Sequence, residues 1–426
     1  MSLEKIIDSW KKVKSSLKKA VAVGAVGLAL ATSGVKAVDE YEIIRLSNFQ
    51  IGNRNIGLTA NVTSVYNINN QGEVAGCVSC IPIPEEPYKK PFIYNLCNER
   101  IFSEFKTIPE SFFGYAKAIS NSSGRGHEGR FVILEEQYKD HYGNINFLKS
   151  YIIDIFFPYR CLPPFIFDSH TFPLEFKAQD INSEGNVVGE NYLYAGRSII
   201  NLCPDSNACE AHRINDDNII VGCSKESVYS FLSQPVFWEQ GETRGEYKKI
   251  KLRVPEPWDG GCALDINKKR QIIGYLIGDC GRPGCKESPF LWEGENITAL
   301  SPLTKAYAIN DLGQIVGTID GKKAVLWEKE VINGVENGVI TDLNEFIPPD
   351  SNGPADWDYL YEAIGINDNG QIIGYGYLNY DKGAGRWRMP YPFLMNKKDL
   401  EGDLNKDGIV NLRDLSELAE HWLEER

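Results

Sequence analysis

After residue 37 no stretch approaches the roughly 20 consecutive apolar residues that a membrane-spanning helix needs. Basic charge is also short: 45 Lys and Arg stand against 58 Asp and Glu, a formal charge of −13. That balance argues against nucleic acid or an anionic membrane as partner. Histidine is scarce, and the five present (His127, His141, His170, His212, His421) are scattered, each reading as a surface residue. No Ser-His-Asp set, HExxH, P-loop or GxSxG occurs, which removes the chemistries that carry a local signature. Carboxylate chemistry survives this exclusion, because paired Asp or Glu from distant positions leave no motif.

What is present begins with a segment set apart by composition. Lys5, Lys11, Lys12, Lys14, Lys18 and Lys19 precede an apolar run from Ala20 to Ala31, and Val35-Lys36-Ala37 offers small residues for cleavage. The run is too short to span a bilayer and reads as a secretory signal peptide over 1–37. Removing its +5 from −13 leaves a mature chain near −18. All ten cysteines lie in that mature part, where an oxidising compartment favours disulfides over metal or redox sites. Proximity suggests Cys77 or Cys80 with Cys97, Cys203 with Cys209, and Cys280 with Cys285. The Cys77-x-x-Cys80 pair has no second pair and no histidine beside it.

The body of the chain repeats one phrase, clearest at Ala308 to Gly317: Ala-Ile-Asn-Asp-Leu-Gly-Gln-Ile-Val-Gly. Ala308 and Ile309 end one strand, Asn310 to Gly313 make a turn with Gly at the position needing positive φ, and Gln314 to Gly317 return. Copies start at Ile68, Ile119, Ile181, Ile214, Ile266, Ile309 and Ile366, spaced 33 to 62 residues apart. Most are followed by an aromatic strand, such as Pro235-Val236-Phe237-Trp238 or Pro289-Phe290-Leu291-Trp292, and often by a fourth strand. Four short strands per unit of about 50 residues predict an all-β propeller of about seven four-stranded blades over 38–399. The aromatics read as blade core. Because the last unit runs short after Met395, the isolated strand Tyr41 to Leu46 is expected to complete it. Departures from the phrase are the degenerate second copy, the short third copy without its aromatic-Trp strand, and Arg270 where the turn wants Gly. Asn218 is a milder departure. Glu135 to Phe172 reads as a long insertion.

This pattern, A-x-x-I-N-x-x-G-x-I-V-G followed by A-F-L-W, resembles the HAF family of extracellular repeats over roughly residues 41 to 396. The resemblance implies an extracellular propeller-like domain and no agreed activity.

From Asp403 the composition changes. Asp403, Asn405, Asp407, Asn411 and Asp414 place side-chain oxygens at loop positions 1, 3, 5, 9 and 12, with Gly408 at position 6 and the Ile409 carbonyl at 7. That spacing suits calcium, which takes six to eight oxygens. Leu412, Leu415, Leu418, Ala419 and Trp422 then fall on one face of a helix. The loop and following helix, 400–426, are similar to one half of a dockerin. By that resemblance Leu412 and Arg413 lie in a partner-recognition region, with a cohesin-like protein as partner, although dockerins usually carry two such segments.

These readings converge on a secreted or cell-surface, non-catalytic binding protein. Its propeller would recognise a glycan or protein, and its calcium segment would mediate attachment or assembly. The alternative is a polysaccharide-degrading enzyme, a glycoside hydrolase or lyase, carrying a dockerin-like tag. Asp180 and Asp265, which break the repeat with a charge just before Ile-Asn, are its inward-facing candidates, although they read more simply as polar strand ends.

Overall fold

A computed structural model describes residues 41–46, 49–51, 58–80, 88–95, 100–102, 114–121, 129–139, 145–156, 165–166, 172–204, 209–225, 232–243, 245–278, 285–332, 335–348, 356–379 and 390–397. The signal-peptide segment 1–37 and the calcium segment 400–426 lie outside these residues. Contacts divide the chain into two units, 44–344 with 349–394, and 1–43 with 345–348 and 395–426. In the smaller unit, the Tyr41 and Phe346 rings lie 4.7 Å apart.

The larger unit is the propeller, and the strands form seven antiparallel sheets, as the repeat count predicts. In six blades an Ile-Asn turn joins the innermost strand to the second, blade 2 carrying Ile119-Ser120 at that place, and the third strand carries the aromatics. Blade 6 shows the plan: Lys305–Ile309, Ile315–Ile319, Lys323–Ile332 and Val335–Asp342 in sequential order. Blade 7 uses Trp357–Ile366, Ile372–Leu378 and Tyr391–Lys397, and its fourth place is taken by Tyr41–Arg45 from the start of the chain. The expected closure is therefore formed, and the Leu46 N–H donates to the Pro392 carbonyl at 3.1 Å beside it. Recruiting the first strand ties the start of the propeller to its last blade, and the blade edges that remain are short and protected.

The core lies between blades. Val188 and Leu193 of blade 3 meet Ala211, Ile214, Ile220, Val236 and Trp238 of blade 4, and equivalent clusters join blades 1 with 2, 2 with 3, 4 with 5, 5 with 6, and 7 with 1. Trp238, Phe92, Phe290 and Phe393 of the third strands are fully buried, so these aromatics are core. Each contributes roughly 1.5–3 kcal/mol by leaving water. The Trp238 indole N–H also donates to the Leu202 carbonyl of blade 3 at 3.1 Å, which satisfies its one polar atom.

Two departures resolve differently from the sequence reading. The short third copy is a complete blade, Asp180–Ile181, Val187–Gly189, Tyr192–Ala195 and Ser198–Asn201, because its strands are short and its turns tight. The described part of 135–172 belongs to a blade: the long strands Gly129–Lys139 and Ile145–Phe156 pair with each other, and Ile145–Phe156 also pairs with Phe165–Ile166 and Phe172–Leu174 in the sheet of blade 2. Where the turn wants glycine, Asn218 and Arg270 both adopt φ of 61°, held there by the surrounding turn.

Cys203 and Cys209 form the expected disulfide, tying the end of blade 3 to the start of blade 4. Cys77 and Cys285 are free thiols, which corrects the pairings of Cys77 with Cys97 and Cys280 with Cys285. Cys77 is buried inside the blade 1 sheet, beside the Thr63 hydroxyl at 3.1 Å. Pairing of Cys80 with Cys97 falls outside the described side chains.

Candidate functional site

Six of the turns, with Ile119, Ser120 and Asn121 of blade 2, line a cavity of about 150 Å³ at the central channel. Their organisation follows from the asparagine of each copy. Asn310 Oδ1 accepts from the N–H groups of Leu312 and Gln314 at 3.1 and 2.9 Å, which caps its own turn. Its Nδ2 then donates to the Asn367 carbonyl of the next blade at 3.0 Å. The same inter-blade step runs from Asn69 to Ser120, Asn182 to Asn215, Asn215 to Asn267, Asn267 to Asn310 and Asn367 to Asn69, at 2.8 to 3.1 Å. All six asparagines are buried. The amide does both jobs because it carries an acceptor for its own turn and, on a separate atom, a donor that reaches the next blade. Blade 2 has Ser120 instead, whose hydroxyl turns to the Asn121 carbonyl at 2.9 Å, and among the described residues no step leads from it to blade 3.

A second ring lies at the following residue. The Asn70, Ser183, Lys268, Asp311 and Asp368 N–H groups each donate to the side-chain oxygen at the same place in the next blade, Asn121, Asp216, Asp311, Asp368 and Asn70, at 2.7 to 2.9 Å. Lys268 breaks this ring as an acceptor and compensates with charge, its ammonium lying 3.6 Å from Asp216 and 3.2 Å from Asp311.

The third ring, one residue before each Ile, contains the two carboxylates singled out in the sequence. Asp180 Oδ2 accepts from the Ile214 N–H at 3.0 Å and Asp265 Oδ2 from the Ile309 N–H at 2.9 Å, while Asn67 does the same for Ile119 at 3.1 Å. Arg213 stands in this ring too, its Nε 3.7 Å from Asp265 Oδ1. Asp180 and Asp265 thus both face the channel, as expected, but each spends its carboxylate on a backbone amide of the neighbouring blade. Burial pushes both carboxyls up, Asp265 to about 6, against the opposing pull of Arg213. The Lys117 ammonium nearby is lowered by burial first and by Arg213 second, and lies 5.8 Å from the Tyr66 ring centroid.

No protein-family model matches the chain, and no curated protein matches it. Solved structures similar to the chain include the β-propeller domain of the Trilobed protease from Pyrococcus furiosus, 11% identical, covering 82% of this chain and 97% of that one, TM-score 0.47. A fungal alcohol oxidase in complex with copper is 11% identical, covering 84% and 76%, TM-score 0.42. Trypanosoma rangeli sialidase is 8% identical, covering 90% and 61%, TM-score 0.35. These titles span a protease, an oxidase and a sialidase, and no activity is read from them.

Asp265 sets a pH dependence whose sign is fixed by its raised value. The folded state holds the proton from the ordinary carboxylate range near 4 up to about 6. The stability this group contributes is therefore fully present below about 4 and lost as pH rises through about 6. Asp265→Asn removes the titration, so wild type should lose on the order of 2 kcal/mol relative to the variant between pH 4 and 7. Urea unfolding across that range measures it, and a constant difference would place Asp265 at its ordinary value. The calcium ligands expected at Asp403, Asn405, Asp407, Ile409, Asn411 and Asp414 lie outside the described residues.

Proposed function

We propose that this is a secreted or cell-surface binding protein whose ligand meets the turn end of the propeller, without catalysis. The observation that carries this reading is a constant frame with variable tips. Six of the seven turns are held by the same amide geometry, yet the residues they present differ: Asn70-Gln71, Ser183-Glu184, Asp216-Asp217, Lys268-Lys269, Asp311-Leu312 and Asp368-Asn369. Blade 5 offers Lys268, Lys269 and Arg270 between the acidic tips of blades 4 and 6, and Leu312 is 62% exposed beside them. A rigid ring bearing hydroxyl, amide, charged and apolar groups suits a polyhydroxylated glycan or a protein surface. At about 150 Å³ the cavity is below the roughly 300–1,000 Å³ of small-molecule sites, so an extended ligand lies across the tips.

In this reading the HAF-type resemblance supports an extracellular setting. The dockerin-like segment, with calcium on Asp403, Asn405, Asp407, Ile409, Asn411 and Asp414, serves attachment, to a cohesin-like protein or another surface partner. A second reading, polysaccharide cleavage, is favoured by Asp180 and Asp265 facing one channel, and weakened by the amides that occupy them.

The test incubates the mature chain in millimolar calcium with plant, algal and microbial polysaccharides, scoring retention and released reducing ends together. Retention without release, reduced at least tenfold by Lys269→Glu, supports binding at the tips. Release that survives repurification and is lost in Asp265→Asn establishes the enzyme instead. Retention that the tip substitution leaves unchanged moves the site away from this face.

A further inference from the structure

Between blades 4 and 5, away from the turn rings, three soft donors converge. His212 is the extra residue of a β-bulge in the innermost strand of blade 4, Cys209–Ile214. Cys223 lies on the second strand of that blade, Ile220–Lys225, and Cys262 on the innermost strand of blade 5, Gly260–Ile266. His212, Cys223 and Cys262 each offer one ligand atom, and these atoms all lie within 4.8 Å of one another. Both cysteines are buried and the histidine is half-buried, so the group is shielded on one side and open on the other.

The repeat does not demand these residues. Equivalent places at the interface of blades 1 and 2 hold Tyr66, Cys77 and Tyr115, whose tyrosine rings pack 4.7 Å apart. At blades 6 and 7 they hold Tyr307, Thr318 and Glu362, and the Tyr307 hydroxyl donates to Glu362 at 3.1 Å. At blades 7 and 1 Tyr375 fills the space and its hydroxyl donates to the Val65 carbonyl at 3.0 Å. At these three interfaces, then, tyrosines close the crevice, whereas blades 4 and 5 line it with two thiols and an imidazole.

We propose that His212, Cys223 and Cys262 bind a zinc-class ion, leaving a fourth coordination position open toward solvent. Zinc takes sulfur at about 2.3 Å and nitrogen at about 2.0–2.1 Å in a tetrahedron, which sets sulfur and nitrogen about 3.6 Å apart. Cys223 Sγ and His212 Nε2 are 3.9 Å apart, a few tenths of an ångström from that spacing, and Cys262 Sγ lies within 4.8 Å of both. Two thiolates and one imidazole with an open position favour zinc over the oxygen-seeking calcium or magnesium. Glu210, whose Oε2 lies 3.9 Å from His212 Nε2, stands beside the open side, where it can orient a bound water or close the site. Binding releases the thiol protons to solvent, and no electron is transferred.

Cobalt(II) tests this on the full-length mature chain, because thiolate ligation gives a near-ultraviolet charge-transfer band and a tetrahedral site gives intense visible d–d bands. Calcium carboxylate loops give neither. One equivalent of cobalt should produce both bands, and zinc should displace it. Cys223→Ser and Cys262→Ser should each weaken binding at least a hundredfold, His212→Ala at least tenfold, and Cys77→Ser and Cys285→Ser should leave it unchanged. Peptide mapping of the untreated protein runs alongside. A Cys223–Cys262 disulfide there, no bands in the wild type, or bands that persist in the Cys223→Ser/Cys262→Ser double variant would overturn the assignment.

Discussion

Asn310→Asp is expected to destabilise the propeller by roughly 2–4 kcal/mol at neutral pH. The new carboxylate can still accept from Leu312 and Gln314, so the turn itself survives. What disappears is the Nδ2 donor to the Asn367 carbonyl and to Gln314 Oε1, and a buried negative oxygen now faces the carbonyl's own partial negative charge. Part of the loss should return near pH 3.5, where the carboxyl regains a proton to donate. Urea midpoints at pH 7.5 and 3.5, each compared with wild type, read both effects. Ser120→Ala should cost under about 1 kcal/mol, because that hydroxyl serves only its own blade. An Asn310→Asp variant as stable as wild type would show that the inter-blade step contributes nothing.

Gly317→Ala is expected to cost a similar 2–4 kcal/mol for a different reason. A β-bulge between Ala306 and Ala308 brings the innermost strand of blade 6 onto its neighbour, and a Cβ at Gly317 would sit 2.0 Å from the Lys305 carbonyl oxygen. The clash is with the backbone of Lys305 and Ala306, so no rotamer relieves it. Gly76, Gly189, Gly222, Gly274 and Gly374 meet the same obstacle at 1.9 to 2.2 Å, which explains the last letter of the repeated phrase in six blades. Blade 2 places Leu134 there, opposite Ala116, and nothing else in that blade explains the exchange. Gly321→Ala, at φ of 60° with open space around it, isolates the backbone term and should cost about 1 kcal/mol. A Gly317→Ala loss no larger than that of Gly321→Ala would mean that the strands separate easily at the bulge.

Much of this architecture is legible in the amino-acid order because its determinants are local. The turn needs an Asx residue at its start and positive φ at Gly313, and both are visible within five residues. Seven copies gave seven blades, and a last unit lacking its fourth strand pointed to Tyr41–Arg45. The rest depends on the ring being closed. Asn367 and Asn69 are 298 residues apart in sequence, so the donor role of Nδ2 has no local signal. Asp180 and Asp265 were visible as charges out of pattern, but the amides of Ile214 and Ile309 that occupy them belong to the next blade. His212, Cys223 and Cys262 were separately read as a surface residue and disulfide partners, because the bulge and the blade interface that unite them are not written in spacing. Writing the seven copies in register would have placed the three at matching crevice positions, which is the signal that was there to find.

The amide ring has a break, and it is not where the chain begins. From blade 7 to blade 1 the step from Asn367 to Asn69 is as short as any other, so the ring carries no trace of the closure that Tyr41–Arg45 makes in blade 7. Among the described residues its missing step follows Ser120, between blades 2 and 3. The strand that closes blade 7 and the missing rung are thus separate places on the circle. A circularly permuted gene opened between blades 2 and 3 would put the new ends where the ladder is already discontinuous, and would leave every inter-blade amide bond intact.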